Sequence, residues 1–195
     1  LSFYQRKEIK DMISYFRLIV NPHDEEALKR VINYPTRGIG DTTVGKLMTA
    51  ATNHQVSLWT VLQSPIDYAL SVNSGTAKKL SAFRELMEQF IELNETTEAD
   101  EMAATVLKQS GIIADLVQDR SVEGQSKYEN AQELLKGIAE FCEIRKEEGA
   151  ERIQLADFLA EVSLLTDQDN DKEEQTNKVT LMTVHAAKGL EFKNV

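Results

Sequence analysis

A single cysteine, Cys142, three prolines and three histidines among 195 residues leave little room for several kinds of chemistry. One thiol cannot close an intrachain disulfide, and its isolation fits a reducing, cytoplasmic setting. His23, His54 and His185 are scattered and share no ligand spacing with Cys142, so no metal centre is expected. No apolar run approaches the ~20 residues that a bilayer-spanning helix needs. No basic-then-apolar segment opens the chain, so no signal segment and no membrane partner are expected. Positive charge is also short. There are 22 Lys and Arg against 32 Asp and Glu, a net of −10. Taken as a total, that balance argues against a nucleic-acid binder, whose footprint is usually basic.

The distribution of charge qualifies the total. Residues 1–46 carry eight Lys or Arg against six Asp or Glu, a net of +2, which leaves −12 on the remainder. Any contact with a polyanion therefore belongs near the first segment, with the acidic remainder facing solvent or other domains. The length suffices for one or two domains, and a chain of this size buries roughly 70% of its unfolded surface. Hydrophobic content of 42% and charged content of 28% are ordinary for a globular protein.

Helical spacing runs through nearly the whole chain, and there is no internal repeat. Ile9, Met12, Ile13, Phe16, Ile19 and Val20 recur at three and four residues, one face of a helix. Asn21-Pro22 ends it. Asp24 is placed to cap a second helix to about Ile32, and Pro35 breaks that helix. After Gly38-Ile39-Gly40, Asp41 or Thr42 can cap a third helix to about Asn53. Ser57 is placed to cap a short helix holding Leu58, Trp59 and Leu62. Residues 64–74 read as a loop. A long helix follows from Ser74, with Leu80, Phe83, Met87 and Phe90 inward, and Thr97 with Asp100 resembles a capping box. Gly111 is placed as a C-cap. Tyr128, Ala131, Leu134, Leu135, Ile138, Phe141 and Cys142 form one stripe of a helix over about 126–146, which makes Cys142 a core residue. Leu155, Phe158, Leu159, Val162 and Leu165 mark another. Residues 167–177 hold no apolar side chain and read as an acidic linker.

The last eighteen residues differ in character. Val179, Leu181, Met182 and Val184 have strand chemistry and lead into a polar turn with His185, Lys188, Gly189 and Glu191. Polar groups at the exit of a buried strand are where open α/β sheets place their ligands. The strand has no visible sheet around it, so the chain is expected to be a piece of a larger protein. Gly38-Ile39-Gly40, at the start of a helix, offers another binding device. Glycines permit close backbone approach, helix N–H groups donate to phosphate, and Arg37 brings a guanidinium suited to bidentate phosphate contact. Gly40-Asp41-Thr42-Thr43-Val44-Gly45-Lys46-Leu47 nearly spells a nucleotide phosphate loop. Leu47 stands where the Mg²⁺-binding hydroxyl would be, and no buried strand precedes the stretch, so Gly45-Lys46 is expected inside a helix.

Three blocks in order carry a family resemblance. Thr183-Val184-His185-Ala186-Ala187-Lys188-Gly189-Leu190-Glu191-Phe192 closely resembles motif V of the UvrD/PcrA/Rep group of superfamily 1 DNA helicases. Phe3-Tyr4-Gln5-Arg6-Lys7-Glu8-Ile9-Lys10-Asp11, with Tyr15-Phe16-Arg17, is similar to the stretch after motif IV. Asn33-Tyr34-Pro35-Thr36-Arg37-Gly38-Ile39-Gly40 is similar to the N-x-P-x-R-G-I-G loop of the same enzymes.

The resemblance implies an all-α multi-helical subdomain (2B) over 21–166, inserted into a RecA-like α/β motor domain (2A). The flanks would be 1–20, a motor-domain edge and hinge, and 178–195, a return strand carrying motif V after the linker at 167–177. Both ends would then carry short β segments. It implies a fragment of an ATP-dependent enzyme that translocates on single-stranded DNA and unwinds duplex in repair or replication, inactive by itself. ATP and Mg²⁺ would serve the parent, with none bound to the fragment. The partners would be single-stranded and duplex DNA, the remaining helicase domains (1A, 1B and the rest of 2A) and repair proteins. Thr36, Arg37, Gly38, Ile39, Gly40, Thr42, Thr183 and His185 would face DNA, and Lys188, Gly189 and Glu191 the nucleotide and its coupling. The alternatives are a helicase–nuclease subunit of recombinational repair and a stand-alone, non-catalytic helical DNA-binding or docking module.

Overall fold

The apolar face of the first helix becomes the centre of the core. In the computed structural model, which describes residues 2–173, α1 (Lys7–Val20) buries Ile9, Met12, Tyr15, Phe16 and Leu18 completely and Ile19 almost so. It packs against α2 (Glu25–Val31), α5 (Ser74–Asn94), α6 (Ala99–Gln109), α8 (Val122–Glu147) and α9 (Leu155–Glu173). The other helices are α3 (Asp41–His54), α4 (Leu58–Gln63) and α7 (Ile112–Gln118). Among the described residues there is no strand. The β segment expected at the start is instead a single 3₁₀ turn, Phe3–Gln5, and the one expected at 178–195 lies outside the described residues. α1, which ends at the boundary expected at residue 20, is held by helices from both ends of the described chain.

Local chemistry explains most of the helix boundaries. Asp24 caps α2, accepting from Ala27 N at 3.0 Å, and also pairs with Arg17 at 2.9 Å. Ser57 caps α4 by accepting from Thr60 N, and α5 starts at Ser74 as expected, capped by Asn73, which accepts from Thr76 N. Gly111, at φ +90°, lets the chain reverse between α6 and α7. The capping box expected at Thr97 does not form. The residue before α6 is Glu98, whose carboxylate instead accepts from Ile153 N at 3.1 Å and ties the start of α9 to α6. The start of the acidic stretch expected as a linker continues α9 as helix through Glu173, since a packed stripe has already nucleated the helix and polar residues other than Gly and Pro cost its continuation little.

The expected stripes meet in one cluster. Ala131, Leu134, Ile138 and Cys142 of α8 are buried with Met87 and Phe90 of α5, Met102 and Val106 of α6, and Leu155, Phe158 and Val162 of α9. Phe141 and Phe158 meet edge-on with centroids 5.7 Å apart. Leu165 turns to the surface. Trp59 is a core residue, and burial pushes the Cys142 thiol up from its ordinary pKa, away from reactivity. Two polar ties seat α1. Arg30 donates to Asp11 at 2.7 Å. Asn130 of α8 accepts from Arg6 at 2.7 Å and donates to Glu8 at 2.6 Å.

Candidate nucleic-acid interface

The chain between α2 and α3 is short, tight and built around two side chains that point inward. Asn33 Oδ1 accepts from Arg37 N at 2.8 Å and from Ile39 N at 3.1 Å, folding the Thr36–Gly40 backbone over itself. Ile39 is buried at 1% exposure and pins the middle of the turn to the core. Thr36, Gly38, Gly40 and Thr42 remain exposed. At Gly38, φ is +77°, a region that side chains with a Cβ rarely adopt. A Cβ there would also stand 2.8 Å from Lys79 Nζ.

Arg37 sits differently from the expectation. Its guanidinium is turned into the protein. Nη1 donates to the carbonyls of Val31 and Tyr34, both at 2.9 Å, and of Pro35 at 3.3 Å. Nη2 donates to Tyr15 Oη at 2.5 Å and to the Ser110 carbonyl at 3.2 Å. The plane lies over the rings of Phe83 and Tyr15, 5.3 and 5.8 Å from their centroids. Tyr15 Oη also donates to the Tyr34 carbonyl. Arg37 thereby satisfies the carbonyls left open where α2 ends, which is structural use of a group suited to phosphate. Burial pushes the Tyr15 hydroxyl up to about 12, although Arg37 opposes the shift.

What faces outward is backbone. Gly40 is the residue before α3, in extended conformation at φ −83°, and no side chain caps the helix. The first backbone bond of α3 runs from Val44 N to Gly40 O at 3.1 Å. The N–H groups of Asp41, Thr42 and Thr43 have no acceptor among the described residues. Neither Asp41 nor Thr42 caps the helix. Asp41 lies in its first turn, where its carboxylate complements the dipole and also competes with any incoming anion.

The cation beside the turn is Lys79, contributed by α5 from forty residues away, which sequence spacing could not have supplied. Gly45 and Lys46 lie within α3, and Leu47 is fully buried, so Gly40–Leu47 forms no nucleotide phosphate loop. No metal-binding cluster occurs among the described residues, and no described helix is long and apolar enough to cross a membrane. Thr183, His185, Lys188, Gly189 and Glu191 lie outside the described residues.

Comparison with known proteins agrees with the whole chain. The family model described as UvrD-like helicase C-terminal domain matches residues 1–195. The chain is 39% identical over 191 residues to the ATP-dependent DNA helicase PcrA of Leuconostoc citreum. It is 34% identical over 195 residues to the protein of the same name from Bacillus subtilis (strain 168). Each alignment covers 97% of this chain and 25% of the relative, so the chain spans about a quarter of the length of these curated relatives. The inward arginine, the exposed glycine turn and the uncapped helix start thus belong to a member of the UvrD-like helicase C-terminal domain family.

Proposed function

We propose that this chain is the helical part of an ATP-dependent DNA helicase and that it grips the backbone of duplex DNA through the Thr36–Thr42 turn. The observation that carries this reading is the outward-facing, unaccepted N–H groups at the start of α3, presented by a turn braced from inside by Asn33, Arg37 and Ile39. Such groups, with the positive end of the helix dipole, bind phosphate oxygens and do not read bases. Gly38, Gly40 and the Thr36 and Thr42 hydroxyls form the contact. Lys79 supplies the positive charge that Arg37 has committed to the interior. Ile39 acts from beneath as an anchor.

The parent would hydrolyse ATP with Mg²⁺ to move along single-stranded DNA in the cytoplasm, coupling that motion to duplex separation. Lys188, Gly189 and Glu191 would contribute to nucleotide binding and its coupling, and Thr183 and His185 to the DNA path. Residues 21–166 would form the inserted helical unit and 178–195 the return to the motor. The remaining helicase domains would supply the phosphate loop and most of the DNA affinity. With a net charge of −10, the isolated chain should bind duplex only at roughly 10⁻⁴ M or weaker.

Gly40→Val provides the test. Valine fits the observed backbone angles, and an added Cβ meets no atom within 4 Å, so the folded protein has no steric reason to object. The loss of a favourable residue at the helix start costs at most about 1 kcal/mol. In the full-length enzyme the variant should lose duplex unwinding while keeping ATP hydrolysis on single strands. Equal retention of both activities would refute the duplex grip.

A further inference from the structure

A groove of about 530 Å³ opens where the turn ends and runs along the outer face of α3, walled on its other side by the loop at 68–71. Thr42, Lys46, Thr49 and Asn53 line it, at spacings of four, three and four, so they share one helix face. His54 and Tyr68 close the far end, edge to face with centroids 5.4 Å apart. Among the described residues no carboxylate lines this groove. That is unusual for a chain of net −10, and residues 36–79 around it hold four Lys or Arg against two Asp, a net of +2. Lys46 is exposed and forms no ion pair among the described residues.

Gly45 lies in the same wall, inside a helix, where glycine is a poor choice for stability. Its backbone is ordinary helix, and a Cβ would meet nothing within 4 Å. Nothing within the described protein therefore calls for glycine at this position. The missing side chain leaves the helix backbone open on the groove side.

We infer that this groove is a second contact for the sugar–phosphate backbone of the same duplex strand held at the turn, with Lys46 on a phosphate and the hydroxyls and amide of Thr42, Thr49 and Asn53 alongside. The inference rests on the reading of the turn as a duplex contact, and extends it along α3. Thr42 to Asn53 covers about 16 Å of helix at 1.5 Å per residue. At ~3.4 Å of axis per nucleotide, that accommodates about four to five nucleotides of one strand. Gly45 permits close approach at the midpoint, and Thr49, whose hydroxyl donates to the Gly45 carbonyl at 3.0 Å, keeps its lone pairs for a donor from outside.

Binding of a labelled, blunt, mixed-sequence duplex by the full-length protein, titrated across salt, tests this, with a single-stranded probe in parallel. Lys46→Ala should lower the slope of log K against log salt by about 1 for duplex, the signature of one lost phosphate contact. Gly45→Leu should weaken duplex binding roughly tenfold. Leucine is the better helix former, so the thermal midpoint should hold or rise. Neither variant should change single-strand binding. If both groove variants bind duplex like the parent while Gly40→Val does not, the groove contact is refuted and the turn stands. If the groove variants lose binding and Gly40→Val does not, the groove stands alone and the turn is refuted. A loss confined to the single-stranded probe would overturn the assignment to duplex.

Discussion

Replacing Arg37 with alanine separates two readings of one residue. As an exposed phosphate ligand, it would be worth little to folding, within about 0.5 kcal/mol like other surface positions. As observed, its removal leaves the carbonyls of Val31, Tyr34, Pro35 and Ser110 and the Tyr15 hydroxyl without their shared donor. Val31 O still accepts from Tyr34 N at 3.0 Å and Tyr34 O from Tyr15 Oη, so the Pro35 and Ser110 carbonyls are the ones orphaned, at about 1–3 kcal/mol each. Arg37 is only half-buried, and water can reach part of the vacated space. With hydrogen bonds from a charged donor worth ~1.5–3 kcal/mol and two carbonyls left without one, the total is about 3–5 kcal/mol. In a chain of this size each kcal/mol moves the midpoint by about 2–4 °C, so Arg37→Ala should melt roughly 10 °C or more below the parent by circular dichroism. Arg37→Lys should fall between the two, because one ammonium cannot reach both the Val31–Pro35 carbonyls and Ser110 as a planar fork does. A midpoint for Arg37→Ala within about 2 °C of the parent would refute the inward role and return the guanidinium to the DNA.

Three further outcomes follow from the geometry. The Tyr15 hydroxyl is raised from 10.0 to about 12 by burial. The folded state therefore holds that proton more tightly than the unfolded one. This contribution is complete below pH 10 and is lost as pH rises through about 12; urea midpoints that stay flat across this window would contradict it. Gly124→Ala in α8 should destabilise by about 1–3 kcal/mol, since a Cβ there would lie 2.3 Å from the Asp119 carbonyl oxygen, a backbone atom with little freedom to yield; an unchanged chemical-denaturation midpoint would show that the α7–α8 turn gives way. Asp41→Asn should tighten duplex binding by the full-length protein two- to threefold at low salt, because it removes a carboxylate from the proposed phosphate approach; weaker binding would mean that Asp41 orders the turn.

Apolar periodicity located the stripes of α1, α5, α6, α8 and α9, because each is long enough for a period of 3.6 to stand out. It did not show α7, where Ile112, Ile113, Leu116 and Val117 span too few turns and follow a glycine that looked only like an ending. It placed the α6 start on Thr97, a good capping residue, because the competing use of Glu98 depends on Ile153, more than fifty residues away. The Gly38–Gly40 turn was legible from its glycines and the helix behind it. The direction of Arg37 was not, since it depends on Tyr15, Phe83 and Ser110 converging from α1, α5 and the α6–α7 junction. Lys79 escaped for the same reason. The groove was hidden in plain view: Gly45-Lys46 drew notice as a flawed nucleotide loop, which obscured the helix face they share with Thr42, Thr49 and Asn53.

The central position of α1 also governs how the protein is made. The ribosome releases α1 before the other eight described α-helices, yet its partners Asn130 on α8 and the apolar face of α9 come more than a hundred residues later. At ~5–20 residues per second, the stripe of Ile9, Met12, Tyr15, Phe16 and Ile19 waits on the order of ten seconds for the surface that will cover it. During that interval α2, then α5 and α6, can cover its other flanks. The face of α1 that α9 covers in the folded protein thus stays without its cover until the region around Leu155 to Val162 has been made.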